Sequence, residues 1–271
     1  MIRKFDFLVI GSGVAGMSYA LQVAESGRGR VALVCKTNIE EANTAKAQGG
    51  VASVTNLEVD NFQKHITDTL IAGDYISDRR AVEQVVKRAP EGIRRLVQWG
   101  VNFDRKENGD FDLHREGGHS EFRILHHADD TGFEIQRGLI EAVKQHPNIT
   151  LLEHHFAVEI ITQHHLGVEV TRRTPDIECF GAYVLDPDTH KIDTILSRVT
   201  VLATGGIGAV YSSTTNPNIA TGDGIAMAYR AKATVQDMEF VQFHPTALYH
   251  HGETHPAYLI TEAMRGYGGI L

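Results

Sequence analysis

The apolar positions at the start of the chain predict a strand, a helix and a second strand. Residues 5–10 are mostly apolar and have strand character. The next segment repeats apolar residues at the spacing of one helix face, namely Met17, Ala20, Leu21 and Ala24. A second apolar run, Val31 to Val34, follows the first by about 20 residues, which is the spacing of a βαβ unit.

Farther along, the same patterning predicts two more helices and a series of short strands. Residues Arg80 to Val97 have helical periodicity with a break at Pro90, which can begin a second helix, and Phe133 to Gln145 form an amphipathic helix. Runs rich in Val, Ile and Leu follow at a spacing that suggests an antiparallel meander: Thr150–Leu152, Ala157–Thr162, Gly167–Val170, Cys179–Leu185 and Ile192–Ser197. A last apolar run, Val199 to Ala203, leads into a Thr-Gly-Gly turn.

A glycine motif, G-x-G-x-x-G, stands between the first strand and the first helix at Gly11 to Gly16. Strand, motif and helix occur in the order that a dinucleotide site requires. Gly11 allows the tight turn, and Gly13 lets the backbone approach a pyrophosphate. Gly16 lets the helix pack on the strand, so that its N-terminal amides face the phosphates. The alternative is a glycine-rich turn without a ligand.

The residues at the end of the second strand indicate which dinucleotide the motif binds. An NAD site needs an acidic residue there to hold the ribose. Here the strand ends in Cys35 and Lys36. This departure disfavours NAD and leaves FAD open, with Lys36 near the adenosine end.

Composition and charge indicate the class of protein and exclude some kinds of partner. The 271 residues are 42% hydrophobic and 22% charged, as in a soluble globular protein with one large domain or two smaller ones. The net charge of -8 argues against nucleic acid as a partner. No apolar run approaches the roughly 20 residues of a membrane span, so we expect no membrane partner. Two cysteines and no signal-peptide pattern predict a cytoplasmic location.

Four pairs of adjacent histidines raise the question of a metal site: 126–127, 154–155, 164–165 and 250–251. Neighbouring residues of a strand point to opposite faces, so the two members of such a pair cannot bind one ion. Neither C-x-x-C nor H-E-x-x-H occurs. The sequence therefore predicts no metal.

Several longer motifs connect the chain to a known family. They are Asn43 to Gly50 (NTAKAQGG), Thr221 to Gly224 (TGDG), Glu239 to Thr246 (EFVQFHPT), Thr261-Glu262 and Arg265-Gly266. With them, the chain resembles the flavoprotein group of succinate dehydrogenase, fumarate reductase and L-aspartate oxidase from Phe5 to its last residue.

The resemblance implies an α/β fold. It consists of an FAD-binding, two-dinucleotide-type Rossmann-like domain with a β-meander, plus the start of an α+β capping domain. Residues 1–235 would be the first segment of a discontinuous FAD-binding domain, and residues 236–271 a truncated start of the substrate-capping domain. We therefore expect that the chain holds roughly the N-terminal half of a family member.

Two positions distinguish among the relatives. The membrane-complex enzymes have a histidine, covalently bonded to flavin, where this chain has Asn43. The resemblance thus implies non-covalent FAD. Those relatives have a phenylalanine where this chain has Glu116, whereas L-aspartate oxidases have a glutamate there that faces the substrate's amino group. A carboxylate attracts an ammonium, which succinate lacks. The alternative is a solvated loop glutamate.

The family's site residues carry over to matching positions. His244 and Thr261 would bind a substrate carboxylate, with Gln242 beside them; the alternative for His244 is a structural histidine. Glu262 and Arg265 would set local charge or a proton path, or form a structural ion pair. The implied FAD contacts are Gly11, Ser12, Gly13, Val14, Ala15, Gly16, Lys36, Asn43, Thr44, Ala45, Lys46, Ala47, Gln48, Gly49, Gly50, Ala157, Val158, Thr204, Gly205 and Asp223.

The implied activity is FAD-dependent oxidation of L-aspartate to iminoaspartate, with dioxygen or fumarate as electron acceptor. This would be the first step of NAD biosynthesis through quinolinate, with quinolinate synthase as downstream partner. The family's acid–base arginine would lie beyond Leu271. Two alternatives remain: a soluble fumarate reductase or succinate dehydrogenase flavoprotein, and a non-catalytic FAD-binding fragment.

Overall fold

The computed structural model describes residues 1–244, 246–248, 256–260 and 270. Two compact units divide the chain. The first comprises Met1–Ala45 and Leu139–Tyr258, and the second comprises Lys46–Gly138 and Leu259–Leu271. The boundary at 235/236 expected from the family is a different division and stays a prediction. Thr261, Glu262 and Arg265 lie outside the described residues.

Eleven strands and six helices are present in the described residues. The strands are β1 (Ile2–Lys4), β2 (Phe7–Ile10), β3 (Val31–Val34), β4 (Val51–Ala52), β5 (Leu113–His114), β6 (Ile124–Leu125), β7 (Ile149–Leu152), β8 (Phe156–Thr162), β9 (Cys179–Asp186), β10 (Lys191–Leu196) and β11 (Val199–Leu202). The helices are α1 (Val14–Glu25), α2 (Asn43–Lys46), α3 (Phe62–Ala72), α4 (Arg79–Gln98), α5 (Thr131–Gln145) and α6 (Asp223–Arg230).

A parallel four-stranded sheet of order β11-β2-β3-β7 forms the centre of the first unit. All four residues of β3 are buried, which explains its unbroken apolar sequence. The predicted βαβ start is confirmed by β2, α1 and β3. The prediction that residues 150–152 belong to a meander is wrong, because β7 pairs with β3. Parallel pairing needs a long crossover, and residues 35–148 provide it.

The meander is confirmed for three strands of a second sheet in this unit, of order β1-β10-β9-β8. Its antiparallel strands bury Ala182, Val184 and Ile195 completely. The predicted strand at 167–170 is wrong: a 3-10 turn at Gln163–Leu166 ends at Gly167, whose φ of 84° is left-handed. The chain therefore turns where the apolar pattern predicted an extended segment.

The second unit contains a small antiparallel sheet, β4-β6-β5, and the packed helices α3 and α4. The predicted break at Pro90 is wrong, because α4 runs through Pro90 without interruption. Val86, Ile93 and Leu96 are buried on both sides of the proline. Tertiary packing of this apolar face therefore maintains the helix despite the missing backbone hydrogen bond.

His65 on α3 makes the stability of this unit depend on pH. Burial, aided by the charge of Arg123, lowers the pKa of His65 from 6.5 to about 4. The unfolded chain therefore binds more protons than the folded chain between these values, and stability falls as the pH falls through this window. We expect His65→Gln to reduce this loss in the free energy of unfolding by up to about 3 kcal/mol.

The measurement is urea unfolding of wild type and His65→Gln at several pH values between 7 and 4. His164→Gln, at an exposed histidine, is the control and should keep the wild-type slope. An equal slope in His65→Gln and wild type would contradict the assignment.

Candidate functional site

A cavity of about 660 Å³ opens in the first unit, where β2, β3 and β11 end. The carboxyl ends of neighbouring parallel strands meet at one edge of a sheet, and ligands bind there in open α/β folds. The starts of α1 and α6 also line it. The topology alone therefore places this pocket at the expected position for a dinucleotide.

Close backbone packing shapes the glycine turn beside the pocket. Gly11 has φ +113°, and a Cβ there would lie 2.1 Å from the carbonyl oxygen of Ala203. A Cβ on Gly16 would lie 1.9 Å from the carbonyl oxygen of Gly11. Neither position can hold a side chain without moving backbone. Gly13 differs, because its Cβ would meet only Thr44 Oγ1, at 3.4 Å.

The N-terminus of α1 faces the pocket at Gly13 and Val14. Gly13 is the N-cap and, as a glycine, supplies no side-chain cap of its own. The Val14 amide donates to Thr44 Oγ1 at 2.9 Å. A helix N-terminus carries partial positive charge, so this end of the pocket suits a phosphate.

Lys36 and Asp223 form an ion pair on the pocket wall. Lys36 Nζ lies 2.5 Å from Asp223 Oδ2 and 2.6 Å from Thr221 Oγ1. The two side chains are 24% and 28% exposed. Lys36 follows β3 and Asp223 begins α6, so the pair connects two segments far apart in sequence. Its polar atoms supply a donor and an acceptor for a ligand's hydroxyl groups.

Most of the predicted cofactor contacts in the first unit line this pocket. These residues are Gly11, Ser12, Gly13, Val14, Ala15, Lys36, Asn43, Thr44, Ala157, Thr204, Gly205 and Asp223. Gly16, Ala45 and Val158 do not line it. Gly16 packs beneath the turn, and the Val158 carbonyl accepts from Arg230 Nη2 at 2.9 Å.

Sequence reasoning missed part of the lining. His155 contributes from the segment after β7, and Thr234, Gln236 and Met238 contribute from the segment after α6. No motif marks these positions, although the strand-end rule could have indicated His155 once β7 was assigned to the parallel sheet. Cys35 also lines the pocket, and burial raises the pKa of its thiol to about 11, so the thiol stays neutral.

The rest of the predicted flavin motif, Lys46 to Gly50, belongs to the second unit together with Glu116. A Cβ on Gly50 would lie 2.2 Å from Ile124 Cγ2, so only glycine fits there. Glu116 is half-buried, and its Oε1 accepts a hydrogen bond from the Gly50 amide at 3.4 Å. Glu116 is thus partly shielded from solvent and makes one contact with the backbone.

The described part of the second motif, Gln242 to His244 with Thr246, lies in the first unit. Gln242 is exposed and His244 is half-buried. His244 Nδ1 lies 3.1 Å from the Thr246 carbonyl oxygen and 3.3 Å from the Thr246 amide nitrogen, and these contacts fix the ring's orientation. The roles assigned to these residues, and to Thr261, Glu262 and Arg265, stay predictions.

Histidines and aspartates also cluster in the second unit. Ligand atoms of Asp112, His114 and His126 lie within 4.8 Å of one another, on the paired strands around β5 and β6. His126 Nδ1 is 3.1 Å from Asp104 Oδ2, an ion-pair distance, yet neither ring nitrogen of His126 makes a hydrogen bond in the described residues. The metal prediction rested on adjacent histidines and on two sequence motifs, and it did not consider this cluster, so the absence of a metal stays a prediction.

The family model described as "FAD binding domain" matches residues 6–271. The chain belongs to this FAD-binding family. FAD is its cofactor. Three features of the pocket fit a dinucleotide, namely the glycines of the turn, the helix N-terminus and the Lys36–Asp223 ion pair. In the described part of the chain, none of the helices combines the length and apolar composition that a bilayer crossing requires.

Curated relatives are similar over nearly the whole chain. An L-aspartate oxidase of Nicotiana tabacum is 48% identical over 99% of this chain and 41% of its own length. One of Vibrio cholerae is 45% identical over 99% of this chain and 49% of its own length. This chain therefore spans about half the length of the curated relatives it matches.

Solved structures agree with the fold. A mutant of the E. coli quinol fumarate reductase FrdA superposes with a TM-score of 0.86 at 30% identity, over 100% of this chain and 43% of that one. The predicted fold class is confirmed by this likeness and by the family match.

Gly13→Ala tests the pocket without disturbing the fold. The backbone of Gly13 (φ -75°) accommodates alanine, and the added methyl contacts no backbone atom. The methyl would occupy space that a pyrophosphate needs. We expect FAD affinity to fall at least about tenfold, about 1.4 kcal/mol, with an unchanged circular dichroism spectrum.

Flavin fluorescence titration of the complete gene product measures this change. Gly92→Ala, on α4 where an added Cβ meets nothing within 4 Å, is the matched control and should bind FAD as wild type does. Wild-type affinity in Gly13→Ala would show that the turn does not carry the pyrophosphate.

Proposed function

We propose that the complete gene product is an FAD-dependent L-aspartate oxidase. It oxidises L-aspartate to iminoaspartate and passes the electrons to dioxygen or fumarate. The observation that carries this proposal is Glu116, a half-buried carboxylate fixed by the Gly50 amide within the flavin motif. Similarity of the chain to L-aspartate oxidases over 99% of its residues supports it.

FAD, when bound, supplies the two-electron oxidation, and the chain's own residues bind and orient. The turn from Gly11 to Gly13 and the N-terminus of α1 hold the phosphates. Lys36 and Asp223 hold the adenosine end. Asn43 cannot form the covalent flavin link of the membrane-complex relatives, because an amide is no equivalent of a nucleophilic imidazole.

Glu116 gives the site its preference for an amino group. Its Oε1 accepts from the Gly50 amide, and we assign Oε2 to the substrate's ammonium. In a partly buried position a carboxylate–ammonium contact is stronger than in bulk water. Succinate and fumarate lack this cation, so Glu116 favours L-aspartate.

The substrate's carboxylates are assigned to His244 and Gln242, with Thr261 as a further donor. A histidine ring held at Nδ1 presents Nε2 to an anion, and Nε2 donates a charge-assisted hydrogen bond when the ring is protonated. Glu262 and Arg265 set the local charge.

The alternative function is a soluble fumarate reductase or succinate dehydrogenase flavoprotein. Its support is the likeness to the E. coli quinol fumarate reductase FrdA. Asn43 and Glu116 favour the oxidase. A further alternative is a non-catalytic FAD-binding chain, since the described sequence spans 41–49% of the relatives' length. Turnover of L-aspartate against succinate by the complete gene product separates the two enzymes, and the same assay on the 271-residue chain tests the third alternative.

We infer a downstream enzyme and the cellular location of the reaction from the proposed product. Iminoaspartate is an unstable imine, so an enzyme that consumes it, quinolinate synthase, acts downstream on the way to NAD. We assign both steps to the cytoplasm, consistent with a chain that has two cysteines, both free thiols.

Asn43 leads to the prediction that FAD is bound without a covalent link. Acid denaturation of the holoprotein should release all yellow colour into the supernatant. Flavin that stays with the precipitated protein would contradict the prediction and would point to a different attachment residue.

Glu116→Gln should lower catalytic efficiency on L-aspartate and leave fumarate reduction comparatively intact. Loss of one charge-assisted contact costs about 1.5–3 kcal/mol, or roughly ten- to hundredfold in kcat/KM. Steady-state kinetics on both substrates measures the difference. Glu121→Gln removes a nearby carboxylate that pairs with Lys64, and it should change neither value. Equal losses on both substrates in Glu116→Gln would assign Glu116 a scaffold role.

A further inference from the structure

A buried ionic cluster lies in the second unit beside the loop that carries Glu116. We call Arg123, Asp60 and Asp68 the Arg123 cluster. The Arg123 side chain is 0% exposed, and its Nε and Nη2 donate to the two oxygens of Asp60, each at 2.8 Å. Its Nη1 donates to Asp68 Oδ2. This fork geometry fixes the guanidinium in one orientation.

Stability alone does not explain such a cluster. Burying ions costs desolvation energy that their attraction only partly offsets, and apolar replacements are often as stable. Burial would raise the pKa of Asp68, but hydrogen bonds from Ser120 and Arg123 outweigh it and lower that pKa below its ordinary value. Asp68 is therefore kept charged, which suits a group that holds others in place.

The cluster is connected to both ends of the loop from Arg115 to Ser120. At one end, Asp68 Oδ2 accepts from the Ser120 amide at 2.9 Å and from Ser120 Oγ at 2.8 Å. At the other, the Arg123 amide donates to the His114 carbonyl at 3.2 Å. Arg123 Nη1 also lies 3.3 Å from His119 Nδ1.

Within the loop, the same contacts continue to Glu116. The His119 amide donates to the Glu116 carbonyl at 3.2 Å, closing a turn over Gly117 and Gly118. Gly118 has φ +83°, and nothing lies within 4 Å of a Cβ at either glycine. A two-glycine turn has high conformational freedom, so its geometry depends on the tethers at its ends.

We propose that Arg123, Asp60 and Asp68 are positioning residues that hold the loop from Arg115 to Ser120, and so orient Glu116 for a substrate that bears an amino group. The role in substrate preference rests on the proposed function. None of the three contacts substrate in this proposal. Their effect is to restrict a carboxylate that would otherwise sample many orientations.

Hydrogen exchange of the loop tests the positioning role directly. In Asp68→Asn, prepared as the complete FAD-loaded protein, amide exchange in the peptide spanning residues 112–122 should accelerate at least about tenfold relative to wild type. Glu134→Gln is the matched control: Glu134 is a buried carboxylate of the same unit, paired with Arg137 and Asn102, and its loss should leave the loop unchanged.

A double-mutant cycle tests the consequence for preference. The quantity compared is the ratio of kcat/KM for L-aspartate to kcat/KM for fumarate. Glu116→Gln should lower this ratio in the wild-type background. In the Asp68→Asn background, the factor by which Glu116→Gln lowers the ratio should be about tenfold smaller. In the Glu134→Gln background the full effect should remain. Should Asp68→Asn fail to fold, Ser120→Ala removes one tether and keeps every ion pair of the cluster.

The outcomes separate this inference from the proposed function. Unchanged loop exchange in Asp68→Asn or Ser120→Ala, or an undiminished Glu116 effect, would overturn the positioning role alone. Wild-type protein without L-aspartate turnover would overturn the proposed function and the substrate preference with it, while the exchange measurement would still decide whether the cluster tethers the loop.

Discussion

The close approach of the Gly11–Gly16 turn to β11 is the constraint on which the cofactor pocket depends. A side chain at Gly11 or Gly16 would collide with backbone, at Ala203 and Gly11 respectively. Because neither position carries a side chain, α1 can begin directly beside the carboxyl ends of the parallel strands. Its N-terminus then faces the cavity, where the partial positive charge of the helix end suits a phosphate.

The remaining walls of the pocket follow from the order of strands. β11 enters the sheet beside β2 although almost 190 residues separate them, and this brings Thr204, Gly205 and α6 to the glycine turn. Lys36 and Asp223 meet for the same reason. The first unit therefore combines a helix N-terminus with a polar ion pair on one pocket wall, and both features fit FAD.

The loops of the second unit are held by a different kind of interaction. Its sheet has strands of only two residues, so backbone pairing contributes little rigidity. Charge-assisted hydrogen bonds at Arg123 and the tight contact of Gly50 with Ile124 hold its loops instead. Such contacts restrict the conformations of these loops, so less conformational entropy would be lost if they bound a ligand.

The sequence by itself determined the local elements: β2, the glycine turn, α1, β3 and three strands of the meander, since each depends on periodicity or spacing within about 30 residues. Only the tertiary structure decided that β7 joins the parallel sheet, that α4 continues through Pro90, and that Arg123 is fully buried. Arginine is ordinarily exposed, and its partner Asp60 is 63 positions away. Such contacts depend on how distant segments close on one another, which no local pattern records.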